Sequence, residues 1–202
     1  MNRLSVGKGR ITKEHILDQA FEFASQFGLE SLTVGELAKL CGMSKSGLFA
    51  HFNSKINLQI AVVEQANRVF LQRVIAPVRV ENYLSYQEKI HHLLDNWMTW
   101  NHSFQGSCMF LDAWKDSQDD ELQIALKQAV KQWITYLTIQ IQKGIEIGEF
   151  HCDLDAKQAA FELYGHYLSA HLFYSLVGKE ESSARFWKSV ETLLSGWHVS
   201  NK

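Results

Sequence analysis

Apolar residues recur three and four positions apart along most of this chain, and runs that alternate in strand fashion are few. The pattern predicts helices. Ile16, Ala20, Phe23 and Phe27 give a first helix one buried face, with Thr12 as its N-cap, Glu14 in its first turn and Gly28 as the residue that ends it. A second helix opens at Thr33, where T-V-G-E reads as a capping box with Glu36, continues through Leu37 and Cys41, and stops at Gly42. Ser44 caps a third, running to about Phe52 with Leu48 and Phe52 turned inward. Asn53-Ser54 then opens a fourth that starts at Lys55 and runs to a break at Pro77.

Beyond residue 77 the elements lengthen. Helices are expected near 84–104, 119–147, 155–178 and 182–198, with shorter helical or irregular material around 106–118. Asp153 or Asp155 can cap the third of these, and Gly178 can close it. Pro77 is the single proline in 202 residues, which suits long unbroken elements. The reading is all-α.

Charge changes this picture only when it is divided along the chain. The formal net charge is -2, yet residues 1–60 hold seven Lys and Arg against five Asp and Glu, while 61–202 hold thirteen against seventeen. The positive excess sits at the N-terminus, where Arg3, Lys8 and Arg10 precede any acidic residue. Cys41, Cys108 and Cys152 are odd in number, far apart and without a CxxC pair, so neither a disulfide framework nor a zinc knuckle is indicated. His151-Cys152-Asp153 lacks a second cluster at ligand spacing, and no metal or cofactor is expected. Cys108 as a nucleophile has no ordered motif around it, so the chain does not read as an enzyme. Nothing at the start resembles a signal peptide, and no apolar run approaches the ~20 residues that span a bilayer. A soluble cytoplasmic protein without a membrane partner is expected.

Three short helices with a glycine turn between the second and third form the pattern of a helix-turn-helix. Leu37, Cys41, Leu48 and Phe52 pin those two helices together, which leaves Lys45, Ser46, Gly47 and His51 on the outer side. Glycine inside a helix costs roughly 0.5–1 kcal/mol relative to alanine. At Gly47 the missing side chain suits close approach to a groove.

The ordered series I-L-x-x-A at 16–20, Gly28, Thr33, L-A-x-x-C-G-M-S at 37–44, G-L-F-A-H-F at 47–52 and S-K at 54–55 resembles the tetracycline-repressor (TetR) family of bacterial regulators over roughly residues 12–60. The resemblance implies a helix-turn-helix DNA-binding domain at 1–54 and a helical effector-binding and dimerisation domain at 55–202. Its third helix would enter the major groove of double-stranded DNA, with a homodimer spanning two half-sites. Carried over by position, Thr33, His51 and Lys55 are phosphate contacts, and Ser44, Lys45, Ser46 and Gly47 form the groove-facing start of the recognition helix. Lysine can reach guanine O6 and N7, and serine can pair with either kind of base edge. An arm carrying Arg10 would reach along the duplex. Two positions depart from the family pattern. Phe49 stands where a tyrosine is common, and Gly35 where some members carry a long polar side chain, so both changes reduce direct contact with DNA.

All six tryptophans lie after residue 90. Trp97, Trp100, Phe104, Phe110, Trp114, Trp133, Tyr136, Tyr164 and Tyr167, with His102 as a polar candidate, are as well suited to a packed core as to a wall, and the resemblance implies an effector cavity for a small molecule among these helices. The last two helices carry small and apolar stripes, Ala160, Leu168 and Leu172 on one and Phe186, Val190, Leu194 and Trp197 on the other. The resemblance makes these the dimer element, a four-helix bundle between two copies. The function implied is a ligand-responsive repressor. Two alternatives stand beside it, a redox-sensing regulator working through Cys108 or Cys152, and a DNA-tethered scaffold that takes no ligand.

Overall fold

The computed structural model describes residues 4–80, 85–102 and 109–198, with backbone alone at 4–12, 101, 102, 109 and 116. Among them lie α1 (Leu4–Phe27), α2 (Val34–Leu40), α3 (Lys45–Phe52), α4 (Lys55–Phe70), a π turn (Leu71–Ile75), α5 (Ala76–Val80), α6 (Tyr86–His102), α7 (Met109–Asp116), α8 (Asp120–Glu146), α9 (Ala156–Val177) and α10 (Lys179–Ser195). No named strand occurs among the described residues, and an isolated antiparallel bridge joins Phe150 to His198. The all-α expectation holds.

Several boundaries differ from those the sequence suggests. The first helix begins at Leu4, so Thr12 lies inside it and Arg10 belongs to a helix where an extended arm was expected. Thr33 does cap α2, its hydroxyl accepting from the Glu36 N–H at 3.1 Å, but the Glu36 carboxylate lies 3.5 Å from the Lys39 ammonium. The capping box is thus made in one direction. Asp155, whose carboxylate accepts from the N–H groups of Lys157 and Gln158, is the cap of α9, while Asp153 pairs with His151 at 2.7 Å. The last helix starts at Lys179, three residues before the predicted one, and ends at Ser195.

Pro77 does not end the helical path. The chain leaves α4 at Phe70, widens into the π turn, and resumes as α5 with Pro77 in its first turn. A proline ring collides with the carbonyl four residues back and supplies no N–H. A wider turn just before it relieves both problems. The Asn96 side chain of α6 donates to the Val74 carbonyl of this turn at 3.2 Å.

The chain divides into two compact units, Met1–Phe70 with Cys108–Ala129, and Leu71–Ser107 with Val130–Lys202. The first has a core of Ile16, Ala20, Ala24, Leu32, Leu37, Leu48, Leu58, Val62 and Ala66, completed by Ala113, Leu122 and Leu126. In the second, α9 packs along α10, with Ala170 and Phe173 beside Ser182 and Phe186, while Ala156, Ala159, Ala160, Leu163 and Tyr167 form the buried stripe of α9. The Ser182 hydroxyl donates to the Ala170 carbonyl at 2.6 Å inside this seam. Residues 149–151 are a fastening point. The Glu149 carboxylate accepts from the N–H groups of Tyr86 and Gln87 at 2.7 Å each, the Phe150 ring lies on Gly144, where an added Cβ would come within 2.3 Å of it, and the His151 N–H donates to the Trp197 carbonyl. Only glycine fits at 144 for that reason. Gln87 also meets His198.

Candidate nucleic-acid interface

The turn between α2 and α3 is short because Gly42 takes φ +62°, a left-handed conformation that glycine adopts without penalty. Met43 N–H returns to the Ala38 carbonyl at 2.9 Å, and the Ser44 hydroxyl accepts from Gly47 N–H at 3.1 Å to start α3. Leu37 and Ala38 from α2 and Leu48 and Phe52 from α3 are buried, which fixes the angle between the helices. Ser44, Lys45, Ser46 and Phe49 are exposed on the other side, with Gly47 and His51 half-buried. Ser44, Lys45, Ser46 and Phe49 are thus open to solvent at the start and along the outer side of α3.

The two lysines of this surface are placed differently from expectation. A Cβ added at Gly35 would meet Lys45 Cε at 3.3 Å, Lys45 Nζ at 3.6 Å and the Thr33 hydroxyl at 3.7 Å. The Lys45 side chain thus crosses to the start of α2 and rests where a longer residue at 35 would stand. Its ammonium lies beside the first turn of α2, near the Thr33 cap. Lys55 donates to both the carboxylate and the backbone carbonyl of Glu30, each at 3.1 Å. Buried Gln59 of α4 holds the same segment, donating to the Leu29 carbonyl at 3.2 Å and the Glu30 carboxylate at 3.3 Å. Glu30 and Gln59 have no motif of their own, and each bond spans more than twenty residues of chain, so the sequence offered no signal for them.

Gly47 also has a local use. A Cβ there would stand 3.1 Å from the Ser44 hydroxyl that caps the helix. The same hydroxyl lies 3.2 Å from that of Ser46. Ser44 is therefore occupied by capping, leaving Ser46 the better placed of the two for a base edge. Lys13 of α1 lies 5.6 Å from the centre of the Phe52 ring, a cation beside α3 that periodicity alone did not single out.

The aromatic residues of the second unit form a connected cluster. Trp97 stacks on Tyr167 at 3.7 Å between ring centres and meets Trp133 at 5.2 Å and Tyr164 at 5.5 Å. Tyr136 extends the group from Trp133, and the guanidinium of Arg79 lies over the Tyr136 ring at 5.2 Å. Trp100 is buried as well. Phe110 and Trp114 correct the expected set: Phe110 packs against the core of the first unit, and Trp114 is exposed there with the Lys127 ammonium over its ring. Phe104 and Cys108 lie outside the described residues, as does the side chain of His102.

The expected dimer residues also divide. Ala160, Phe186, Val190, Leu194 and Trp197 are buried within the subunit, Phe186, Val190 and Leu194 on the inner side of α10 and Trp197 against the Phe150 ring. Leu168 and Leu172 are exposed, and Phe161 and Leu176 join them on one stripe of α9, while Phe173 lies in the groove beside Ser182 and Phe186 of α10. Among the described residues no group of three His, Cys, Asp or Glu side chains is arranged to hold a metal, and no helix is long and apolar enough to cross a membrane.

The sequence profile of the bacterial regulatory proteins of the tetR family matches residues 16–62, and that of the tetracyclin repressor-like C-terminal domain matches residues 87–190. The chain belongs to the TetR family. Among relatives, the HTH-type transcriptional regulator AcrR of Shigella flexneri is 36% identical over 58 residues, which cover 29% of this chain and 27% of AcrR. The match thus spans under a third of that relative's length. A TetR-family regulator from Cytophaga hutchinsonii shares the fold with a TM-score of 0.83 at 23% identity, covering 96% of this chain and 98% of that one. FadR from Bacillus subtilis, solved in complex with stearoyl-CoA, gives 0.75 at 19% identity over 92% of this chain and all of its own. Of the two departures, Phe49 is exposed and Gly35 is half-buried beside Lys45.

Proposed function

We propose that this TetR-family chain is a homodimeric DNA-binding transcription regulator, a repressor that a small molecule releases from a near-palindromic operator. Residues 1–54 serve as the DNA-binding domain and 55–202 as the effector-binding and dimerisation domain. The observation that carries the reading is the solvent-open helix-turn-helix, where Ser44, Lys45, Ser46 and Phe49 are exposed and the Lys45 side chain lies beside Gly35 at the start of α2. In this reading the α3 helices of two copies enter successive major grooves with half-sites roughly 34–36 Å apart. Thr33, Lys45, His51 and Lys55 contact phosphates and set the register, while Ser46 and the backbone beside Gly47 approach bases. Arg10 is a phosphate contact from within α1.

Dimerisation uses the outer surface of α9, with Leu168 and Leu172 retained from the sequence-based set and the buried members replaced by Phe161 and Leu176. The effector cavity uses Trp97, Trp100, Trp133, Tyr136, Tyr164 and Tyr167. The effector acts by binding one dimer geometry more tightly than the other, so release of DNA follows from differential affinity. Selection of bound fragments from genomic DNA, followed by titration of an enriched fragment at several salt concentrations, tests the reading. A palindromic sequence with a steep salt dependence is expected. Failure to enrich any sequence would overturn it.

A further inference from the structure

Gln140 lies on the buried side of α8, two turns beyond Trp133 and one beyond Tyr136, with Leu137, Ile141 and Gly144 as its neighbours along the seam. It is 3% exposed, and its side-chain carbonyl has no hydrogen-bond partner among the described residues. A buried amide oxygen without a donor is costly, about 1–3 kcal/mol, and calls for a donor from an ordered water or a bound molecule; Gln59 Oε1 in the first unit is in the same state, but there the amide N–H groups are held by Leu29 and Glu30. Leucine or methionine would fill the same position with no such cost. Its surroundings narrow what that donor belongs to. The same face of α8 carries Trp133, which meets Trp97, which in turn stacks on Tyr167. The buried polar side chains among the described residues are Gln59, Ser117, Gln140 and Ser182, none of them charged. The charge at this cluster is the Arg79 guanidinium over the Tyr136 ring, so a cation bound here would be buried beside a like charge, which is far more costly than burying a neutral polar group.

We infer that Gln140 is the polar anchor of the effector site and that its ligand is a molecule without positive charge, with a flat apolar body and an N–H or O–H donor. The inference rests on the effector-responsive reading proposed above. The aromatic rings accept the body by stacking, and the Gln140 carbonyl accepts the donor hydrogen bond, which fixes the ligand's orientation. A quaternary ammonium ligand has no donor to give and brings the charge this interior does not balance.

The test uses the full chain, as wild type and as Gln140→Met, with 2-naphthamide and 2-naphthyltrimethylammonium as probes. Without a probe, Gln140→Met is expected to melt at or above the wild-type temperature, because it removes the unpaired amide and keeps the volume. 2-Naphthamide is expected to raise the melting temperature of wild type by a few degrees and that of the variant by none, with the ammonium probe raising neither. A variant that melts several degrees below wild type would make the amide a structural group and overturn the inference, as would equal stabilisation of both proteins by 2-naphthamide or of neither. Release of the operator fragment is measured separately. If 2-naphthamide binds through Gln140 and leaves the DNA complex intact, the anchor stands and the ligand-released repressor reading falls.

Discussion

Gly35 makes room for Lys45. The Lys45 chain lies against the first turn of α2, where a methyl on residue 35 would come within 3.3 Å of its Cε. Because the crowded atom belongs to the flexible end of a lysine, Gly35→Ala is expected to displace it slightly and still gain the helix preference of alanine, about 0.5–1 kcal/mol. Melting temperature should rise by a few degrees, and operator affinity should change through Lys45 alone. A Lys45→Ala background in which Gly35→Ala no longer alters affinity is the expected control.

Lys45→Ala itself should weaken binding to all sequences and lower the slope of log affinity against log salt by about 0.9, as for a lost phosphate contact. The ammonium lies against the first turn of α2, so discrimination between operator variants should survive. A selective loss at one base pair would instead make Lys45 a base reader.

Glu30 competes with DNA for Lys55. Their bridge is half-exposed and worth about 0–1 kcal/mol, so a phosphate can displace it. Glu30→Gln should tighten operator binding by up to about five-fold and steepen the salt dependence, while Lys55→Ala should weaken binding and flatten it. Titrations between low and moderate salt separate the two variants.

Phe49 is 50% exposed on the face of α3. Phe49→Tyr adds a hydroxyl at that surface without disturbing the core, and one hydrogen bond to a phosphate is worth about 1 kcal/mol. Operator affinity should rise about five-fold with an unchanged melting temperature.

Leu172 is 62% exposed and Val190 fully buried, although the family resemblance implies a dimer role for both. Leu172→Asp should yield monomers by light scattering. Val190→Ala should leave the dimer and lower stability by about 2 kcal/mol through the cavity it opens. Monomeric Val190→Ala together with dimeric Leu172→Asp would restore the original assignment.

Much of the first unit was legible because its signals are local. Thr33, Ser44 and Ser54 cap the helices that follow them, and Gly28 and Gly42 carry the positive φ that ends a helix. Cα positions four apart, such as Leu48 and Phe52, declare a face. The start of α1 was missed because Thr12 satisfies the rules for a cap without being used as one. Lys55 was legible as a cation but not its partner, since Glu30 is brought to it by the fold. On α9 and α10 every apolar stripe looks alike in sequence. Only the packing decides which stripe is consumed inside the subunit and which is left for a second copy.

Residues 147–155 have the composition that usually invites an engineered insertion, with Gly148, His151 and two aspartates between long helices. The three residues at the centre of this connection fasten to the start of α6, to Gly144 of α8 and to the backbone at Trp197. A tag or reporter spliced there would part three segments that lie more than fifty residues apart in pairs, so a loop that looks expendable is among the least tolerant joints of the second unit.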